Sequence, residues 1–242
     1  MRERCPPKRR SRATGNLPAY RPDDAEQTIG ALRALDPAQP VVAFHLGLAE
    51  LWSGDCAAAQ TTLERVKRID PYGYYGERAD NALHPGMVRG YPLYFPSISY
   101  GTATLAQRRA AVRRTPGDPA AWMALAVMLE QQHRAEAISA VRHAIDDAPT
   151  DVSPRVAFAV LSFDKDSPGV SFGQLGRLLQ QAPDNTEIRF HVGLLAFWLK
   201  LYDRAVGEFQ QVDRADPNGP YAGLATEFAR CVSALQNGHA AC

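Results

Sequence analysis

Ser171 is the residue whose surroundings most resemble a catalytic motif. It sits in G-V-S-F-G, residues 169–173, which matches the G-x-S-x-G nucleophile elbow. That chemistry needs the serine on a sharp turn directly after a strand, with an acid and a histidine downstream. Val156–Phe163 passes for a strand in isolation, but Asp164–Pro168 then intervenes and the turn is not tight. A serine hydrolase acting through Ser171 therefore stands as the alternative reading and not the leading one. His45 and His191 invite a paired-ligand reading, yet they occupy equivalent positions of a repeat, too far apart for one ion. They are read as core or groove histidines. His133 and Glu136 form a single i, i+3 pair with no third ligand. Cys5, Cys56, Cys231 and Cys242 are scattered without any C-x-x-C. That spacing argues against a zinc site or a disulfide framework, so Cys56 and Cys231 read as small buried hydrophobes. No phosphate loop or dinucleotide fingerprint occurs. The expectation is no catalytic residue, no metal site and no cofactor: the chain is read as not an enzyme.

The elements that position these residues come from a repeat. Sliding the chain by 146 positions aligns Gly30–Ala79 with Gly176–Ala225, and 16 of the 50 pairs are identical. They include Phe44/Phe190, His45/His191, Gly47/Gly193, Trp52/Trp198, Ala59/Ala205 and Pro71/Pro217. Such self-similarity is settled before any other question. Phe44, Leu48, Leu51 and Trp52, then Ala59, Leu63 and Val66, recur at three and four residues, which is helical spacing. Gly54-Asp55 breaks the two runs apart, and Pro71 stops the second. One unit is two antiparallel helices that approach closely where Gly47 and Ala59 lack bulk. Two helices this short bury no core alone, so neighbours must stack on them. Ser171 then has a structural role, because it fills the small-residue position held by Ala25, Ala59, Ala137 and Ala205 in the other units.

These positions resemble the tetratricopeptide repeat: Phe44, Leu46-Gly47, Ala59, Leu63 and Pro71, then Phe190, Val192-Gly193, Ala205, Phe209 and Pro217. A third match is Trp122, Leu125-Ala126, Ala137, Val141, Ala144 and Pro149. A fourth is Phe158-Ala159, Ser171, Leu175, Leu178 and Pro183. The resemblance covers most of Asp23–Leu235 and implies an all-α fold, a right-handed solenoid of helical hairpins. It also implies a concave groove lined by first helices, in a non-catalytic scaffold for an unidentified protein or peptide. The partner-contacting stripe would be Phe44, Leu48 and Trp52 in one copy and Phe190, Leu194 and Trp198 in the other. The family's carboxylate-clamp pattern of Lys and Asn is absent, so capture of a chain-terminal carboxylate is not implied. No small-molecule substrate is expected.

Residues 23–242 are read as the solenoid, interrupted at 84–101. The stretch His84–Tyr100 has three Pro, two Gly and four large aromatics. No helix survives that punctuation, yet the stretch is too apolar for a solvated linker. Tyr91, Tyr94 and Phe95 must find a surface, and the groove is one: the segment is a possible internal ligand. Arg108, Arg109, Arg113 and Arg114 crowd the helix that follows and read as a solvated basic face. Residues 1–22 carry seven Lys/Arg and one acid. They read as a disordered tail, whose only functional reading is contact with nucleic acid or anionic membrane. The whole chain has net charge +1 and 45% hydrophobic residues, so the body has no nucleic-acid footprint. No apolar run spans a bilayer and the basic start lacks the apolar core of a signal peptide. The expectation is cytoplasmic, with an upstream membrane anchor the competing possibility. Richness in Ala, Arg and Pro is read as a GC-rich bacterial source.

Overall fold

The computed structural model describes residues 22–36 and 38–238. They form two compact units, Met1–Pro85 and Gly86–Cys242, and the boundary falls inside the interruption expected at 84–101. Among the described residues there are helices and no strand. The first unit holds α1 (Pro22–Leu35), α2 (Pro40–Ser53), α3 (Cys56–Ile69) and α4 (Tyr74–Leu83). The second holds α5 (Leu105–Arg114), α6 (Pro119–Leu129), α7 (Arg134–Asp147), α8 (Val152–Leu161), α9 (Pro168–Gln181), α10 (Thr186–Trp198), α11 (Tyr202–Ala215) and α12 (Ala222–Gln236). Successive helices pack as hairpins, α2 on α3, α6 on α7, α8 on α9 and α10 on α11, with α12 closing on α11. Within each unit this is the hairpin-on-hairpin packing of an α-solenoid. The basic tail lies outside the described residues except for Pro22, which begins α1. No described helix is long and apolar enough to cross a membrane.

Local chemistry sets the helix ends. Asp55, Asp118 and Asn185 each accept a backbone N–H at the start of α3, α6 and α10, and Pro40, Pro119 and Pro168 open helices where their missing N–H costs nothing. Thr104 and Gln107 form a capping box, so α5 begins at Leu105. Asp151 caps α8, its side chain accepting the Ser153 N–H. Between α2 and α3 the chain turns on Gly54 at φ 81°; the equivalent residue of the second copy is Lys200, held left-handed at φ 57°.

The two shared glycines mark helix crossings. A Cβ on Gly47 would lie 2.8 Å from Leu63 Cδ2, and one on Gly193 would lie 2.8 Å from Phe209 Cε1. Phe209 sits wholly buried in the core of Phe190, Ala196, Ala205, Val212 and Tyr221. A ring held in that core cannot step aside as a leucine branch can. Gly193→Ala is therefore expected to cost roughly 1–3 kcal/mol, more than Gly47→Ala, in denaturant unfolding. Equal costs would show that both crossings relax alike. The shared Asp-Pro-x-Gly turns have the same kind of cause. A Cβ on Gly73 would overlap the Asp70 carboxylate, and one on Gly219 would overlap that of Asp216. Asp70 uses the space to accept the N–H groups of Tyr75 and Gly76 at 3.1 Å, which caps α4.

Two expectations are corrected here. Cys56 and Cys231, read as small buried hydrophobes, are each disulfide-bonded and only partly buried; scattered cysteines carry no spacing signal that would show it. The crowded arginines do not form one solvated face. Arg108 is 9% exposed and holds the carbonyls of Tyr100 and Gly101. Arg109 grips Glu136, Nε donating to Oε1 at 3.2 Å and Nη2 to Oε2 at 2.8 Å.

Candidate functional site

The aromatic segment preceding α5 is laid across the second unit. Tyr91–Pro96 run without helix, turn or bend, and hydrogen bonds satisfy the main chain along the way. Val88 N–H donates to the Trp198 carbonyl at 3.0 Å, and the Trp198 indole N–H donates to the Gly90 carbonyl at 3.3 Å. Arg134 Nη1 donates to the Pro92 carbonyl at 3.0 Å. Tyr94 N–H donates to Glu130 Oε2 at 2.9 Å, and Phe95 N–H to His191 Nε2 at 3.1 Å. The Tyr221 hydroxyl donates to the Phe95 carbonyl at 2.9 Å. The groups contacted belong to α10, to the start of α12 and to the turn joining α6 and α7.

Side chains seat in matching pockets. Tyr94 is 3% exposed. Its ring stacks on the His191 imidazole at 5.1 Å and its hydroxyl donates to Glu187 Oε1 at 2.6 Å. Ser153 donates to the other Glu187 oxygen at 2.8 Å. Phe95 stands edge-on to Phe190 and Phe228. The Arg134 guanidinium lies 4.9 Å from the centre of the Tyr91 ring. Arg134 also donates to the Leu161 and Val160 carbonyls, at the C-terminus of α8 where a cation is favoured.

Burial sets the protonation of these groups. It holds the His191 pKa down to about 4, against the opposing bond to the Glu187 carbonyl. The neutral ring donates through Nδ1 to that carbonyl at 2.7 Å, which leaves Nε2 to accept from Phe95. Burial pushes Glu130 up to about 7, although the Tyr94 N–H and the Arg134 charge both pull the other way. Burial also raises Glu187, against the hydroxyls of Tyr94 and Ser153, and it lifts the Tyr94 and Tyr221 hydroxyls above their usual range.

Between its ordinary 4.5 and about 7, Glu130 holds a proton in the folded state that it releases on unfolding. Its contribution to stability is complete below 4.5 and is lost as pH rises through 7. His191 has the opposite sign: its contribution is complete above 6.5 and is lost as pH falls through about 4. The two oppose each other across the acidic range, and Glu187 adds to the Glu130 side. Glu130→Gln keeps an acceptor oxygen for Tyr94 and removes that titration. The variant is expected to gain on the parent as pH rises from 5 to 8, the gap in Tm widening by about 5 °C. A gap that stays constant in thermal unfolding at the two pH values would show that Glu130 does not titrate there.

The residues singled out from sequence divide sharply. Phe190 and Leu194 are fully buried; Phe190 packs on Phe209 and Phe228 and is met edge-on by Phe95 of the segment. Phe44 is 9% exposed and belongs to the core of the first unit, with Leu48 packed against it. Trp52 is 60% exposed, while Trp198 is partly buried against Gly90. Tyr91, Tyr94 and Phe95 do cover a helical surface of the second unit. Ser171 lies within α9, 1% exposed, in a helix and not on a strand-to-helix turn, so the nucleophile-elbow geometry is absent. Glu130, Arg134, Ser153, Glu187 and Tyr221 carry the site and were not legible as site residues. The available signal was the identity of His45 with His191 and of Tyr75 with Tyr221.

No curated protein matches the chain. The family model for the tetratricopeptide repeat matches residues 173–220. Among solved structures, the chain is similar to a human IFIT1 dimer with PPP-AAAA, at 18% identity and TM-score 0.45, covering 89% of this chain and 51% of that one. It is also similar to yeast Tom70, at 16% identity and TM-score 0.37, covering 89% and 56%. The chain thus spans about half the length of these structures. The family match runs from within α9 through α10 and α11, and so includes the hairpin against which the aromatic segment rests: residues 173–220 match the tetratricopeptide repeat.

Proposed function

We propose that the chain is a non-catalytic scaffold that binds extended segments of partner proteins, and that residues 86–101 are a built-in occupant of that site. The observation that carries this reading is the main-chain ladder from Val88 to Phe95, supplied almost wholly by side chains. Side chains that hold backbone groups at fixed intervals grip any extended chain, and pockets at alternate positions add preference. The buried aromatics supply the anchor that such a site needs.

The test uses the full chain with Tyr94→Ala and Phe95→Ala, which empties the pockets, and a synthetic peptide of residues 86–101. The peptide is expected to bind this variant and to lose at least ~10-fold in affinity when Trp198→Ala is added. A variant that stays helical and binds no peptide sinks the reading. As to compartment, the disulfides at Cys56 and Cys231 favour an oxidising environment over the cytoplasm.

A further inference from the structure

The first unit repeats the ring cluster that holds the segment in the second. Phe44 and His45 meet at 5.6 Å and 82°, Phe190 and His191 at 5.2 Å and 88°. His45 and Tyr75 meet at 6.2 Å and 62°, His191 and Tyr221 at 5.9 Å and 78°. Phe44 with Tyr75 and Phe190 with Tyr221 are tilted pairs at 5.8 and 5.2 Å. The tautomer is repeated as well. His45 Nδ1 lies 2.8 Å from the Val41 carbonyl, as His191 Nδ1 lies 2.7 Å from that of Glu187. A donating Nδ1 leaves His45 Nε2 as an acceptor. The side chain of His45 is exposed, where that of His191 is covered.

We infer that His45 and Tyr75 form a second site for an extended protein segment, read through the main-chain groups that His191 and Tyr221 hold in the second unit. This inference rests on the peptide-binding reading of the second unit. By equivalence, His45 Nε2 accepts the N–H that Phe95 gives to His191, and the Tyr75 hydroxyl donates to the same residue's carbonyl.

The chemistry of the occupant differs at two pockets. Val41 stands where Glu187 accepts the Tyr94 hydroxyl, and Ala82 stands where Phe228 flanks Phe95. A tyrosine seated over Val41 would lose its hydroxyl's water with no acceptor in return. The first unit therefore selects an aliphatic or phenyl side chain at that position, followed by a large apolar one.

The experiment titrates two peptides, residues 86–101 and the same peptide with Tyr94→Leu, into two proteins. One is the unaltered full chain; the other is the full chain with Tyr94→Ala and Phe95→Ala. The Leu peptide is expected to bind the unaltered chain at least ~5-fold more tightly than the Tyr peptide, and His45→Ala is expected to weaken it at least ~10-fold. Tyr75→Phe, which keeps the ring, is expected to weaken it about 5-fold. Binding to the pocket-emptied chain alone overturns this inference and leaves the second-unit reading standing. Binding to neither protein overturns both. Binding that ignores His45→Ala and Tyr75→Phe places the peptide elsewhere and also overturns it.

Discussion

Tyr94→Ala is expected to destabilise the second unit by about 3–5 kcal/mol, the usual cost of removing a buried aromatic ring. The ring is 3% exposed, stacked on His191, and its hydroxyl is one of two that solvate the buried Glu187 carboxylate. Losing it opens a void and leaves Glu187 Oε1 without its donor, so two costs fall at one place. The segment should then detach, which limited trypsin digestion reads directly. Arg89 is exposed, but its backbone is held between Val88 and Gly90, both bonded to Trp198. Cleavage there should be slow in the parent and faster by an order of magnitude or more in the variant. Tyr94→Phe separates the parts: it keeps the ring and should cost about 1–3 kcal/mol, the desolvation of an unpaired carboxylate oxygen. If Tyr94→Ala unfolds like the parent and is cut no faster, the segment is not anchored by this residue.

Arg134→Met should have an effect of similar size, about 3–5 kcal/mol, by a different route. Arg134 is 4% exposed and donates to three carbonyls, those of Val160, Leu161 and Pro92. Methionine fills much of the volume and returns none of those bonds. It also removes the cation that eases the charge on Glu130. Arg134→Lys should rescue little, since one ammonium cannot reach acceptors set around a planar fork. Denaturant unfolding measures the loss, and a rescue by Lys would show that charge alone matters at this position.

The helices were readable because what makes them is local. Gly47, Gly193, Ala59 and Ala205 state a close crossing within one hairpin, and Asp70 with Gly73 states a turn within four residues. The segment's destination was not readable in the same way. Gly90 and Trp198 meet across 108 positions, and Phe95 and Tyr221 across 126; an extended stretch has no period to align with its partners. Its apolar content did show that it must cover something.

Phe190 and Leu194, read from the sequence as contact residues, are both fully buried, and the reason is instructive. Residues identical between two copies of a repeat are held so by packing first, and Phe44 and Phe190 are both core. The shared residues that packing explains less well, His45/His191 and Tyr75/Tyr221, were the better pointer. Glu130 and Glu187 gave no signal, since a carboxylate in a helical pattern reads as solvent-facing until the chain that covers it is seen.

The built-in segment is continuous with the body it covers, so it never diffuses away. A short flexible tether keeps such an occupant at an effective concentration on the order of millimolar. On the proposed reading a visiting chain is measured against this incumbent, and its apparent affinity falls by the fraction of time the surface lies bare. The covalent link acts as a threshold: weak or scarce visitors go unregistered, and substitutions in the segment shift that threshold without touching the receiving residues.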